Sequence, residues 1–242
     1  MKKLSVKDVV YLAIIILLIA AVVTLSVLLG YSLKREKAKQ STLYYDLKCT
    51  SFQLENAHLS KGQIVFIGDS ITDYYPLDNY YQDLPLATYN RGIAGDVTSG
   101  VLGRLQNSLF DLAPTKVVLL IGINDIDVGV SDETILANYK EILSRIKAAL
   151  PATQVHCMSI LPQHEAVERF LPMKAADNNK RIVALDEKIS ALAETYGYTY
   201  VDLYSSLVDE NNILRKELSD DGLHLNDAGY AIWTSILKPY LQ

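Results

Sequence analysis

Cysteine and histidine are scarce in this 242-residue chain, with two of one and four of the other. Two cysteines make no disulfide framework, and nothing in their placement supports a Cys49–Cys157 bridge. Cys157 sits inside an apolar run and reads as a core residue. A net positive balance is missing from most of the chain. Residues 1–40 hold seven Lys or Arg and two acids, a net of +5, whereas the whole chain carries −5, so residues 41–242 carry −10. A domain with that balance lacks the basic face that phosphate binding needs, and no nucleic-acid partner is expected. No internal repeat or low-complexity tract interrupts it. About 200 residues remain for one well-buried domain.

Charge of either sign is absent from Val9 to Leu33, where Ile, Leu, Val and Ala dominate. Twenty-five helical residues at about 1.5 Å each span roughly 37 Å, enough to cross a hydrocarbon core of about 30 Å. Lys2, Lys3 and Lys7 flank one end; Lys34, Arg35, Lys37 and Lys39 flank the other. A cleaved signal peptide and a buried core helix are the alternatives. The run exceeds the usual signal core of about 7–15 residues, and no clear A-x-A site follows it. A retained single-pass anchor over residues 1–33 is therefore expected, with membrane contact through residues 9–33. The lysine counts on the two flanks do not decide orientation. The short leader before a long domain leads us to expect that domain outside the cell.

Residues 34–60 read as a polar connector with a packed helix, and residues 61–242 as the main domain. There, short apolar runs alternate with amphipathic stretches. Ile64–Ile67, Ala87–Asn90, Lys116–Ile121, Gln154–Leu161 and Tyr198–Leu203 read as buried strands, with Val and Ile richest in the first and third. Val97–Phe110, Asp132–Leu150, Asp177–Tyr196 and Asn226–Leu241 carry helical spacing. The alternation predicts an α/β domain, a mostly parallel sheet with helices on both faces, whose ligands bind at the carboxyl ends of the strands.

The residues just after the strands therefore matter most. "GDS" follows the first strand. Ser70 there is either a helix cap or a nucleophile, and its own neighbourhood does not choose. The G-x-S-x-G elbow is absent, since Thr72 stands where the second glycine would be. "NRGIAGD" follows the second strand, and Gly92 and Gly95 would let a backbone N–H approach a substrate oxygen. Asn124 follows the third strand and offers a neutral donor to a developing oxyanion. Near the C-terminus, His224 stands three residues after Asp221. That spacing can set a carboxylate beside one imidazole nitrogen and leave the other free as a base. The pair has no second His or Cys nearby to complete a metal site. Among the other histidines, His58 precedes the sheet and His156 lies mid-strand. His164 follows the fourth strand, as a loop residue or a substrate contact. Each piece alone fits an ordinary turn; together they are the inventory for acyl transfer.

With "GDSI", "RGIAGD", "GIND" and "DDGLH" in this order, the chain resembles the SGNH/GDSL hydrolase superfamily. Its neighbourhoods "VFIGDSIT" and "HLN…GY" look most like the platelet-activating-factor acetylhydrolase-like branch. The resemblance covers residues 64–230. It implies a three-layer α/β/α sandwich of flavodoxin-like SGNH type and ester hydrolysis without metal or cofactor. Ser70 matches the nucleophile, Asp221 and His224 the acid–base pair, and the Ser70 and Gly95 N–H groups with Asn124 the oxyanion hole. Ile71 in place of leucine and Leu225 in place of proline depart from the pattern without touching these roles.

The function expected is a carboxylic-ester hydrolase acting on short acyl groups, acetyl above all, of a surface glycan or small ester. Tyr74, Tyr75, Tyr80 and Tyr81 either stack on sugar or simply pack. The competing readings are a lysophospholipase or thioesterase, an acyltransferase, and a non-catalytic wall-binding module on the same scaffold.

Overall fold

A computed structural model describes residues 6–169 and 174–242; the side chains of residues 6, 8–10, 12–14, 16–17, 34, 37–38 and 168–169 lie outside the described set. The chain divides into two compact units, Met1–Asp46 and Leu47–Gln242. Its elements, in order, are α1 (Val6–Asn56), β1 (Ile64–Gly68), α2 (Ser70–Asp73), α3 (Leu77–Tyr80), β2 (Thr88–Gly92), α4 (Thr98–Gly103) and β3 (Lys116–Leu120). There follow α5 (Ile123–Asp127), α6 (Asp132–Ala149), β4 (Gln154–Met158), α7 (Ala175–Thr195), β5 (Thr199–Val201), α8 (Tyr204–Leu207) and α9 (Asp227–Leu241).

The five strands form one parallel sheet in the order β2-β1-β3-β4-β5. Every residue of β1 is buried, as a strand with neighbours and helices on both sides must be. Full burial of side chains such as Ile64, Phe66 and Ile67 contributes about 1.5–3 kcal/mol each. The chain leaves β1 toward β2 and later returns past it to β3. Right-handed crossovers in opposite directions put the intervening helices on opposite faces of the sheet. On one of them, helix α4 packs on α6 and α6 on α7. The reversal makes the crevice beyond β1 and β3 the topological switch point, where ligands bind in open α/β sheets. The register aligns the strand ends there, with Gly68 opposite both Gly92 and Leu120.

The five expected strands all form; β1 and β2 run on to Gly68 and Gly92, and β4 and β5 end early where side chains take over the ladder. Beyond β4, the Ile160 N–H donates to Asp186 Oδ1 at 2.9 Å. Beyond β5, the Leu203 and Tyr204 N–H groups donate to Ser159 Oγ at 2.9 and 2.8 Å. The single helix expected over Val97–Phe110 ends at Gly103 and resumes as a π-turn, Gln106–Phe110. The break lies at Arg104, whose buried guanidinium ties distant backbone together, as described below.

Helix α1 runs unbroken where an anchor and a separate connector helix were expected. Its last turns belong to the larger unit: Phe52 is buried and Asn56 Nδ2 donates to the Asn107 carbonyl at 2.7 Å. The described side chains of residues 18–33 are exposed. Among the described residues, no helix is long and apolar enough to cross a membrane. The transmembrane span expected over Val9–Leu33 is therefore not supported. Many side chains in the first half of that run lie outside the described residues.

Candidate active site

Ser70 is the first residue of α2, but it does not cap it. Asp69 does: its Oδ1 accepts the Ile71 N–H at 3.0 Å. That releases the Ser70 hydroxyl, which meets His224 Nε2 at 2.9 Å. His224 Nδ1 meets Asp221 Oδ2 at 2.6 Å. The other carboxylate oxygen of Asp221 accepts the N–H groups of Leu223 (2.9 Å) and His224 (2.8 Å). The D-x-x-H spacing thus closes a turn that aims the imidazole. Burial pushes the Asp221 carboxyl up, but His224 and these N–H groups outweigh it and hold it below the usual carboxylate range. It stays ionised at neutral pH. A carboxylate, an imidazole and a hydroxyl in one hydrogen-bonded row can relay a proton off the serine oxygen.

The candidate oxyanion donors come from the next two strand ends. Gly95 has φ +79°, the left-handed region, in open space: a Cβ there would meet nothing within 4 Å. The glycine serves backbone conformation, not room. Asn124 stands on α5 and donates through Nδ2 to the Asp96 carbonyl at 2.8 Å. A primary amide has two N–H donors, and this bond uses one. The Asn124 side chain thus ties α5 to the residue after Gly95.

A buried frame that local sequence patterns did not reveal holds these loops. Arg104, 2 % exposed, donates to Asp96 Oδ2 (2.7 Å), the Arg91 carbonyl (2.7 Å), Ser108 Oγ (2.9 Å) and the Gly68 carbonyl (2.9 Å). One guanidinium therefore joins the ends of β1 and β2 to the turn after Gly95. Asp125 receives the N–H and hydroxyl of Thr98 at 2.8 and 2.7 Å, and Asn138 donates to the same hydroxyl at 3.0 Å. Burial pushes Asp96 and Asp125 above the usual range, against the pull of Arg104 on the first and of Thr98 on the second. Asp69 goes up to about 7, chiefly through burial and despite the Ile71 N–H.

The remaining sequence candidates separate cleanly. Nδ1 of His164 accepts the Ala166 N–H at 3.0 Å, and the His164 backbone N–H donates to the Gly222 carbonyl at 2.8 Å. It is a loop histidine that braces the turn between Asp221 and His224. His156 is buried in β4, where desolvation brings it down to about 4 and keeps it neutral. Tyr75 and Tyr81 are core residues; Tyr75 stacks on Tyr230 with ring centroids 4.5 Å apart. Tyr74 alone of the four is exposed, its ring 5.2 Å from that of His224. Among the described residues, no group of three or more His, Cys, Asp or Glu could hold a metal ion.

Known proteins resemble this chain in sequence and fold. The model of the GDSL-like Lipase/Acylhydrolase family matches residues 66–232, more than half of the chain. The chain belongs to that family. Platelet-activating factor acetylhydrolase IB subunit alpha1 of Pongo abelii is 29% identical over 172 residues, covering 70% of this chain and 71% of the relative. A solved structure from Streptococcus pneumonia, provisionally described as a platelet activating factor, is 31% identical with a TM-score of 0.80, and the match covers 86% and 97% of the two chains. A GDSL-like lipase from Bacteroides thetaiotaomicron is 25% identical with a TM-score of 0.71, covering 80% and 96%. The resemblance read from the four motifs is thereby established, and with it an enzyme that hydrolyses ester bonds.

Proposed function

We propose that the protein is a serine-dependent carboxylic-ester hydrolase that removes short acyl groups, acetyl first among them, from a glycan or small ester. The unbroken row Asp221–His224–Ser70, at 2.6 and 2.9 Å, carries the proposal. His224 Nε2 takes the hydroxyl proton as Ser70 Oγ attacks the ester carbonyl. Asp221 holds the Nδ1–H tautomer and steadies the imidazolium. The oxyanion is met by the N–H groups of Ser70 and Gly95 and by the Asn124 amide. The alcohol leaves with the proton from His224, and water then cleaves the acyl-serine by the same steps. The acetyl preference draws on the name of the acetylhydrolase relatives. Exposed Tyr74 beside His224 supplies a flat face for a sugar leaving group.

The test is hydrolysis of p-nitrophenyl esters of increasing acyl length by the wild type and Ser70→Ala. Two-carbon preference and loss of activity with Ser70 are expected; wild-type turnover in Ser70→Ala would contradict the proposal. A long-chain optimum would point to a lysophospholipase or thioesterase, and acyl transfer to added sugar to an acyltransferase. Residence at the cell membrane, with the catalytic unit outside, belongs to the same proposal. It rests on the uncharged run Val9–Leu33 between clusters of lysine. Full-length protein recovered entirely in the washed soluble fraction would refute it.

A further inference from the structure

The helix carrying Ser70 and the loop carrying Gly95 leave different strands, yet they lie in contact. The end of α2 rests on the end of β2: a Cβ at Gly92 would come within 2.2 Å of the Asp73 nitrogen. Only glycine admits that approach. Asn90 fastens the same junction, donating from Nδ2 to the Thr72 carbonyl at 2.6 Å and accepting the Gly92 N–H at 2.8 Å. The Asp73 side chain, 7 % exposed, can then reach across the strand end. Its Oδ2 accepts the N–H of Ala94, the residue before Gly95, at 2.9 Å. Its Oδ1 takes the ammonium of Lys48, near the end of α1, at 2.8 Å.

A left-handed glycine in a loop is easily turned, and a peptide turned the wrong way presents a carbonyl where an N–H is needed. Arg104, through Asp96, fixes the residue after Gly95. We infer that Asp73 fixes the residue before it and is a positioning residue for the oxyanion hole, with Lys48 holding the Asp73 carboxylate in place. This rests on the assignment of Gly95 as an oxyanion donor. Asp73 exchanges no proton with substrate; it acts through the Ala94 peptide.

The test is steady-state kinetics on p-nitrophenyl acetate with melting curves, using the full chain as wild type, Asp73→Leu, Asp73→Asn and Ser70→Ala. Asp73→Leu removes the acceptor and is expected to lower kcat about 10–100-fold with KM within about twofold, the range for a misplaced donor. Asp73→Asn keeps an oxygen for the Ala94 N–H, loses the ion pair, and is expected to recover most of that loss. Wild-type kcat in folded Asp73→Leu overturns the inference, as does Asp73→Asn no faster than Asp73→Leu. Should Asp73→Leu fail to fold, Asp73→Glu replaces it. That variant keeps the charge but displaces the acceptor by one methylene, and it must also be slower than Asp73→Asn. Activity surviving in Ser70→Ala would instead remove the serine mechanism on which the inference rests.

Discussion

Two arms converge on Ser70, and they are built on different scales. The acid–base arm is local: Asp221 and His224 share one turn, and their side chains are 42% and 30% exposed. The oxyanion arm is assembled from three strand ends and a helix, around a buried ion pair whose members are 1% and 2% exposed. The difference follows from what each arm does. An imidazole that shuttles protons needs one fixed partner and access to substrate. An N–H that meets a transient charge must be in place beforehand, and only a frame that cannot relax holds it there.

Breaking the local arm should have the larger effect on rate. Asp221→Asn keeps the shape of the turn but favours the wrong imidazole tautomer. Turnover should fall about 10⁴-fold, as read by kcat on p-nitrophenyl acetate. Asn124→Ala removes one donor from the other arm and should lower kcat about 10²–10³-fold in a folded protein. Equal losses in the two variants would erase the distinction between the arms.

Stability should show the reverse order. Arg104→Met leaves Asp96 buried without its cation, at a cost of about 3–5 kcal/mol. The thermal midpoint should drop by roughly 10 °C, while Asp221→Asn should move it far less. A midpoint unchanged in Arg104→Met would mean that the buried pair does not hold the frame.

The smallest effect lies in pH dependence, where the two arms have opposite sign. Asp221 is held below its ordinary value, so its contribution is present above the unfolded carboxylate pKa near 4 and is lost on acidification. Asp69, in the buried arm, is raised to about 7. Its folded form keeps the proton more tightly, so its contribution is full below about 4 and is lost as pH rises toward 7. Asp69→Asn should flatten the decline in melting midpoint over that window, and Asp221→Asn the decline at lower pH. A wild-type slope in Asp69→Asn would show that Asp69 does not titrate there.

The scale of each arm also decides how much of it was legible beforehand. The central strands β1 and β3 were visible because a buried parallel strand needs an unbroken apolar run, and theirs are contiguous. Asp221 and His224 were visible because three residues of one turn suffice to join them. Arg104 was not, because its partners Arg91, Asp96, Ser108 and Gly68 meet only once the sheet has formed. The same holds for Asp125 with Thr98, and for Asp73 with Ala94. Asp69 was missed for a different reason: it and Ser70 both suit a helix cap, and only the finished turn shows that Asp69 takes the role and leaves Ser70 its hydroxyl.

The central claim is that Ser70 is the nucleophile. Its most direct test is intact-mass and peptide mapping of the full chain after exposure to a fluorophosphonate ester. The account predicts one adduct per chain, on Ser70, appearing in step with loss of esterase activity and absent from Ser70→Ala. An adduct on another residue that abolishes activity, or esterase activity that persists with Ser70 fully modified, would contradict it.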